Sequence, residues 1–247
     1  MKRPRRIWNH WHFRLKPVLR FILGHLLRLE IQGLEHIPEE GPLIVYINHA
    51  NFLDPFVAAG VIDREVAVMG KRELFSLPVL GLLFRLYGVF PVRRDEADLS
   101  AYRRSLEVLK RGSILILAPE GTRSGTGRLR RGKLGVGHLA LHAGAPMVPM
   151  AVLGGLHFYS FFWRLSRTPV QVRVGMPFMP ERTGGKATRE DAQRITDEAM
   201  YRLAALMPPE LRGVYGHVGS EAPASGPTAS PSEDCAETTM SQEGFGA

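Results

Sequence analysis

Three continuous apolar runs constrain the fold more than any other feature of this chain: LIVYI at 43–47, SILILAP at 113–119 and MVPMAVL at 147–153. Runs of this length without polar alternation read as strands buried on both faces, the pattern of parallel sheets covered by helices on either side. The segments between them have helical spacing. Residues 96–111 put Leu99, Tyr102, Leu106 and Leu109 on one helical face. An interrupted apolar helix is expected over 71–88, with further helices near 133–143 and 188–206. LEIQG (29–33), VFPV (89–92) and VQVRVG (170–175) add strands, and HIPEEGP supplies a turn after the first. This alternation predicts an α/β domain with a largely parallel or mixed central sheet flanked by helices. At 247 residues, one main domain is expected.

The ends of the chain differ from this middle. Residues 1–28 carry an apolar stripe that includes Trp8, Trp11, Phe13, Val18, Ile22 and Leu26, interleaved with Arg5, Arg6, Arg14, Lys16, Arg20 and Arg28. Tryptophans beside cations suit the headgroup layer of a bilayer, so residues 1–28 are read as a basic amphipathic membrane-association segment, with Pro17 expected to break or kink the helix. Charges interrupt the stretch, which argues against a cleaved signal peptide, and no run of 18 apolar residues occurs to span a membrane. Residues 29–212 form the expected main domain. From Gly213 to Ala247 the chain is rich in Ser, Pro, Gly, Ala, Glu and Thr and reads as a disordered tail. The one cysteine, Cys235, lies in that tail, which excludes an intrachain disulfide, makes a thiolate nucleophile a poor reading and fits a cytoplasmic setting. A formal charge of +8 calls for an anionic partner: nucleic acid, an anionic membrane surface or a phosphorylated substrate.

Chemistry-bearing residues gather at predicted strand ends, where loops present side chains on a rigid scaffold. His49 and Asp54 follow LIVYI with four residues between them. A histidine titrates near neutral pH and is the usual general base, and a carboxylate on its second nitrogen fixes the tautomer and stabilises the imidazolium. Asp54 could instead simply cap a helix before Pro55. After SILIL, Glu120, Gly121, Thr122, Arg123 and Ser124 offer a carboxylate, a flexible backbone, hydroxyls and a phosphate-binding guanidinium. Arg93 and Arg94 end the VFPV strand. GRLRRGKL (127–134) imitates a phosphate-binding loop, but Leu134 stands where a magnesium-binding hydroxyl is needed. His138 and His142 are four apart but have no third ligand nearby, so no metal site is expected. Base-stacking aromatics around the basic loop are missing, so nucleic acid is not an expected partner.

Taken together these segments resemble the phospholipid and glycerol acyltransferase family, in particular the 1-acylglycerol-3-phosphate acyltransferases. NHANFLD matches the first family motif, VFPVRRD the second, PEGTRS the third and the Val-Pro strand MVPMAV the fourth, in family order across roughly residues 29–175. Ala118 departs from the pattern, since many members carry Phe there. The resemblance implies that His49 deprotonates the acceptor's free hydroxyl for attack on an acyl thioester, with Asp54 orienting His49 and no acyl-enzyme. It implies that Arg93 or Arg94, with Arg123, holds the acceptor's phosphate, with Thr122 and Ser124 beside it. Glu120 and Gly121 would help position the glycerol, Asn48 would fix the His49 loop, and Pro149 would shape the pocket wall. It further implies acyl-CoA or acyl carrier protein as donor, a lysophospholipid acceptor, membrane lipids as partners, no separate cofactor, and a peripheral place on the cytoplasmic face of the cell membrane. Glycerol-3-phosphate or a lyso-aminolipid remains open as acceptor. A non-catalytic protein binding anionic lipid through residues 1–28 and the 128–133 cluster is the alternative from another class.

Overall fold

The structure, a computed structural model, describes residues 11–93, 98–158 and 166–216. Helix α1 (Trp11–Leu26) runs directly into β1 (Leu27–Gln32), and β2 (Leu43–Ile47), α2 (Asp54–Val61) and β3 (Val66–Lys71) follow. A 3-10 turn (Arg72–Ser76) leads into α3 (Pro78–Tyr87), then β4 (Val89–Val92), α4 (Leu99–Lys110) and β5 (Ile114–Leu117). The chain continues through α5 (Gly135–Ala143), β6 (Met147–Leu153) and β7 (Thr168–Val174) to the helix at Arg189–Ala205, here α6.

Seven strands form one sheet in the order β1-β7-β6-β2-β5-β3-β4. The five from β6 to β4 are mutually parallel, while β7 pairs antiparallel with β6 and carries β1 parallel to itself. The sheet is therefore mixed, with a parallel heart. Its strands alternate sides as the pleat requires: Ile44 and Tyr46 of β2 face α4, α5 and α6, whereas Leu43, Val45 and Ile47 face α1, α2 and α3. The apolar runs are continuous because both faces are covered. After β5 the chain crosses from one side of β2 to the other to form β6, so β2 sits where the strand order reverses. The carboxyl ends of strands at such a point form the usual ligand crevice of α/β sheets.

Several elements differ from the sequence expectation. β3 falls where only the start of a helix at Lys71 was expected. VAVMGK is short, contains Ala and Gly, and sits between the charged Asp63-Arg64-Glu65 and Arg72-Glu73, so little of its pattern announces a strand, yet Val66 and Ala67 are fully buried. The helix expected over 71–88 divides at Leu77, because Pro78 presets the first turn of α3 and has no amide to continue the preceding turn. α1 passes through Pro17 as one helix, and Trp8 lies outside the described residues. Two of its cations bond the main chain around the end of α2. Lys16 Nζ donates to the Arg64 carbonyl (3.2 Å), and Arg20 Nε donates to the Gly60 carbonyl (2.7 Å) at the end of α2. At the other boundary, Gly213–Tyr215 forms a 3-10 turn whose buried Tyr215 hydroxyl accepts from the Gly132 amide (3.1 Å), so packed structure extends past the boundary expected at Gly213. Residues 217–247 lie outside the described residues.

Candidate active site

The carboxyl ends of β2, β3, β4, β5 and β6 converge on His49. Asn48 anchors the start of the loop: its amide donates to the Val152 carbonyl (2.9 Å) and its oxygen accepts from the Val152 amide (2.7 Å), tying β2 to β6. His49 follows, clamped through its backbone on both sides. Its amide donates to Glu120 Oε1 (2.9 Å), and its carbonyl accepts from the Ser124 amide (2.8 Å). The second Glu120 oxygen accepts from the Arg130 amide (3.0 Å), so this buried carboxylate joins the His49 loop to the loop after β5. Burial pushes the Glu120 carboxyl above its ordinary range, and the two amides oppose that rise.

Asp54 opens α2, with Pro55 at the next position, and the helix N-terminus favours a carboxylate there. Its Oδ2 lies 3.6 Å from His49 Nδ1, and the two residues are only 1% and 5% exposed. The Asn51 amide donates to the same oxygen (2.6 Å), while the Asn51 side chain donates to the Gly155 carbonyl (2.6 Å) and accepts from the Leu53 amide (3.3 Å). Burial pushes the Asp54 carboxyl upward, and the His49 side chain and the Asn51 amide pull it back. The 3.6 Å separation exceeds a hydrogen bond, and among the described residues His49 Nδ1 and Asp54 Oδ1 lack hydrogen-bond partners. A histidine–carboxylate pair at this distance needs only a small shift of either side chain to form a hydrogen bond.

Two apolar cavities meet at the histidine, sharing His49, Pro55, Val68 and Met69. The larger, about 500 Å³, extends beneath α4 and α5 past Tyr102, Ser105, Val136 and Leu139, with Arg93, Gly121 and Lys133 among its polar lining. The smaller, about 130 Å³, lies between α2 and α3 and includes Arg123.

The residues expected at the site thus separate by function. Gly121, at φ +70°, meets the Lys133 side chain so closely that a Cβ would come within 2.6 Å of Lys133 Cε. Ser124 serves through its backbone and through its hydroxyl, which accepts from the Gly127 amide (3.0 Å). Thr122 is partly buried in the same loop. Arg93 and Arg123 line different cavities, and the Arg93 amide donates to Asp98 (3.0 Å). Arg94 lies outside the described residues. Pro149 lines neither cavity: paired with Tyr46 inside the sheet, it packs against Gly175, where a Cβ would come within 2.7 Å of its ring. Sequence reasoning missed Asn51 and Lys133. Asn51 sits inside NHANFLD without a titratable group to mark it, and Lys133 belongs to a basic cluster whose position against β5 local spacing does not reveal. Among the described residues no three His, Cys, Asp or Glu side chains form a metal-binding group, and His142 Nδ1 lies 2.8 Å from the His138 carbonyl.

The family model described as Acyltransferase matches residues 28–153, half of the chain, and encloses both His49 and Glu120. The chain belongs to the acyltransferase family. It is 32% identical over 146 residues to the chloroplastic 1-acyl-sn-glycerol-3-phosphate acyltransferase of Brassica napus, a match covering 58% of this chain and 42% of that one. The 1-acyl-sn-glycerol-3-phosphate acyltransferase of Pseudomonas aeruginosa is 29% identical over 189 residues, covering 75% of this chain and 73% of its own. This acyltransferase chain therefore spans about two fifths of the plastid relatives it matches and about three quarters of the bacterial one. Its fold is that of the Thermotoga maritima 1-acyl-sn-glycerophosphate acyltransferase structure, with a TM-score of 0.62 at 24% identity over 79% of this chain and 78% of the other.

Proposed function

We propose that the protein moves a fatty acyl group from an acyl thioester to the free hydroxyl of 1-acylglycerol-3-phosphate, forming phosphatidic acid. The observation that carries this reading is His49, buried at the junction of two apolar cavities with Nδ1 toward Asp54. With Nδ1 so directed, Nε2 takes the acceptor's hydroxyl proton as the oxygen attacks the thioester carbonyl carbon. The carbon–sulfur bond breaks, and the departing thiolate takes up that proton. Asp54 holds the ring and offsets the imidazolium charge; Asn51, Asn48 and Glu120 keep the loop rigid, so orientation is set before substrate arrives. Both substrates carry acyl chains, which suits two apolar cavities. The larger takes the donor chain, with Arg93 and Lys133 facing the phosphates of coenzyme A or the acidic surface of acyl carrier protein.

The same reading puts the protein on the cytoplasmic leaflet. Val18, Phe21 and Ile22 of α1, and Leu77, Val79, Leu82 and Leu83 at α3, are exposed on one side of the sheet, more apolar side chains than isolated surface residues explain. No described helix is long and apolar enough to cross a membrane, so contact with one leaflet is the form this face supports. The test is product analysis: purified protein, an acyl thioester and labelled 1-acylglycerol-3-phosphate, glycerol-3-phosphate and lyso-aminolipid. Labelled phosphatidic acid as the dominant product is expected; product from another acceptor alone would overturn the acceptor assignment, and no product at all would favour a lipid-binding role.

A further inference from the structure

The two cavities meet at His49 and diverge from it, the larger still touching Ile47, Val68 and Ile116 of the α1–α3 side. The larger is walled by α4 and α5; the smaller lies among Phe56, Ala59, Phe84 and Tyr87, on the side of α1, α2 and α3. At one end the smaller cavity reaches His49 and Arg123. Elsewhere its lining includes Leu74, which is itself exposed and stands in the 3-10 turn leading to the exposed Leu77 and Val79. One apolar surface thus continues from the outer face of α3 to the catalytic histidine.

Resting on the proposed reaction, we infer that this smaller cleft between α2 and α3 binds the glycerol-proximal part of the acceptor's own acyl chain, which enters past Leu74 from the bilayer. Charge supports that occupant. Arg123 lies beside His49, where an acceptor threaded along the cleft has its phosphate, and Lys71 adds a second cation to the lining although it also faces Glu73 (3.7 Å). A donor chain entering here would instead have to cross the face crowded with exposed apolar residues, away from Lys133 and Arg93. Size sharpens the assignment: about 130 Å³ encloses only the start of a chain and leaves the remainder in the lipid, whereas about 500 Å³ encloses far more of the donor's. Donor length is therefore read strictly and acceptor length loosely.

Two measurements on the full chain test this. Leu74→Trp, which narrows the entrance, is expected to lower kcat/KM for 1-oleoyl-glycerol-3-phosphate about tenfold relative to the 1-hexanoyl acceptor, the equivalent of losing about two buried methylenes. The profile across donor chain lengths should keep its shape. A variant that shifts donor preference and leaves the acceptor ratio alone overturns the assignment. Independently of any variant, a 1-acylglycerol-3-phosphate carrying a photoreactive diazirine on an early chain carbon should label the wild-type protein within residues 52–59 or 69–89. Label confined to residues 98–142 puts the acceptor chain in the larger cavity and overturns the proposal even while turnover is intact. If wild-type protein acylates no 1-acylglycerol-3-phosphate, the proposed reaction falls first and the chain assignment falls with it.

Discussion

Among the described residues nothing hydrogen-bonds His49 Nδ1 in the protein interior, where an unsatisfied buried polar group costs about 1–3 kcal/mol. The hydrogen bonds that tie His49 into the fold run through its backbone, to Glu120 and Ser124. His49→Ala should therefore unfold at a temperature close to wild type while transfer falls by about 10² to 10⁴, the usual contribution of a general base. Thermal unfolding and turnover measured on the same preparation separate the two effects; a folded variant with near-normal turnover would remove His49 from the mechanism. Glu120 is the opposite kind of residue. Both its oxygens accept from backbone amides, and Glu120→Gln sets a donor against one of them. A loss of about 1–3 kcal/mol in stability is expected, read from denaturant midpoints, with kcat reduced more than KM is raised. The residue types of NHANFLD and PEGTRS were legible as site residues because titratable and phosphate-binding groups at strand ends stand out against apolar runs. What Glu120 holds was not legible, because an amide partner seventy-one positions away leaves no trace in local spacing.

At the scale of elements, α1 and α5 show how the scaffold carries the site. α1 lays Leu23 into the core beside α2, the helix that begins with Asp54, packs Leu15, Leu19 and Leu26 against it, and secures itself with Lys16 and Arg20. Burial, reinforced by neighbouring Arg20, lowers the Lys16 pKa to about 8. Between pH 8 and the unfolded value near 10.5 the unfolded chain holds the proton that the folded chain has released, so this residue makes stability rise with pH across that window. The cost of the buried charge is fully present below pH 8. Melting temperatures recorded from pH 7 to 9.5 should thus show wild type gaining relative to Lys16→Met; parallel curves would refute the linkage. α5, which forms one wall of the larger cavity, approaches α6 so closely at Gly137 that a Cβ would come within 2.0 Å of the Ala192 carbonyl. Gly137→Ala should cost about 1–3 kcal/mol through forced separation of the two helices, measured by denaturant unfolding. The helical spacing of 133–143 and 188–206 made both elements visible in the sequence, whereas their near-contact depends on the absence of a side chain, which periodicity does not register. β3 escaped for a related reason: a buried edge of the core can be built from small residues when neighbouring strands supply the bulk.

Over the whole molecule the sheet divides two environments, with His49 at the end of its central strand. The larger cavity runs from His49 toward α4 and α5, with Arg93 and Lys133 in its lining; on the α1–α3 side lie the smaller cleft and the exposed apolar face. The N-terminal stripe read from the sequence as membrane-facing proves broader than either use alone requires, since Leu15, Leu19, Leu23 and Leu26 pack on the core while Val18, Phe21 and Ile22 point outward. Sequence showed the stripe but not its division, because which arc of a helix meets the core depends on where α2 and α3 sit. The division also determines how membrane docking is tested: deleting residues 1–28 removes core side chains as well as surface ones and cannot separate docking from folding. Phe21 and Val79, at 66% and 73% exposure on neighbouring helices, separate them. Burying one such side chain in the interfacial layer is worth about 1.5–3 kcal/mol, and a carboxylate there adds repulsion from an anionic leaflet. The double variant Phe21→Glu with Val79→Glu should therefore bind phosphatidylglycerol-containing vesicles more than about a hundredfold more weakly in flotation, while its melting temperature stays near wild type because neither side chain is buried. Its use of a long-chain, bilayer-resident acceptor should fall with vesicle binding, and its use of a soluble short-chain acceptor should persist. Undiminished flotation would show that this face does not meet the membrane, and a parallel loss on both acceptors would show that the substitutions act on the catalytic site.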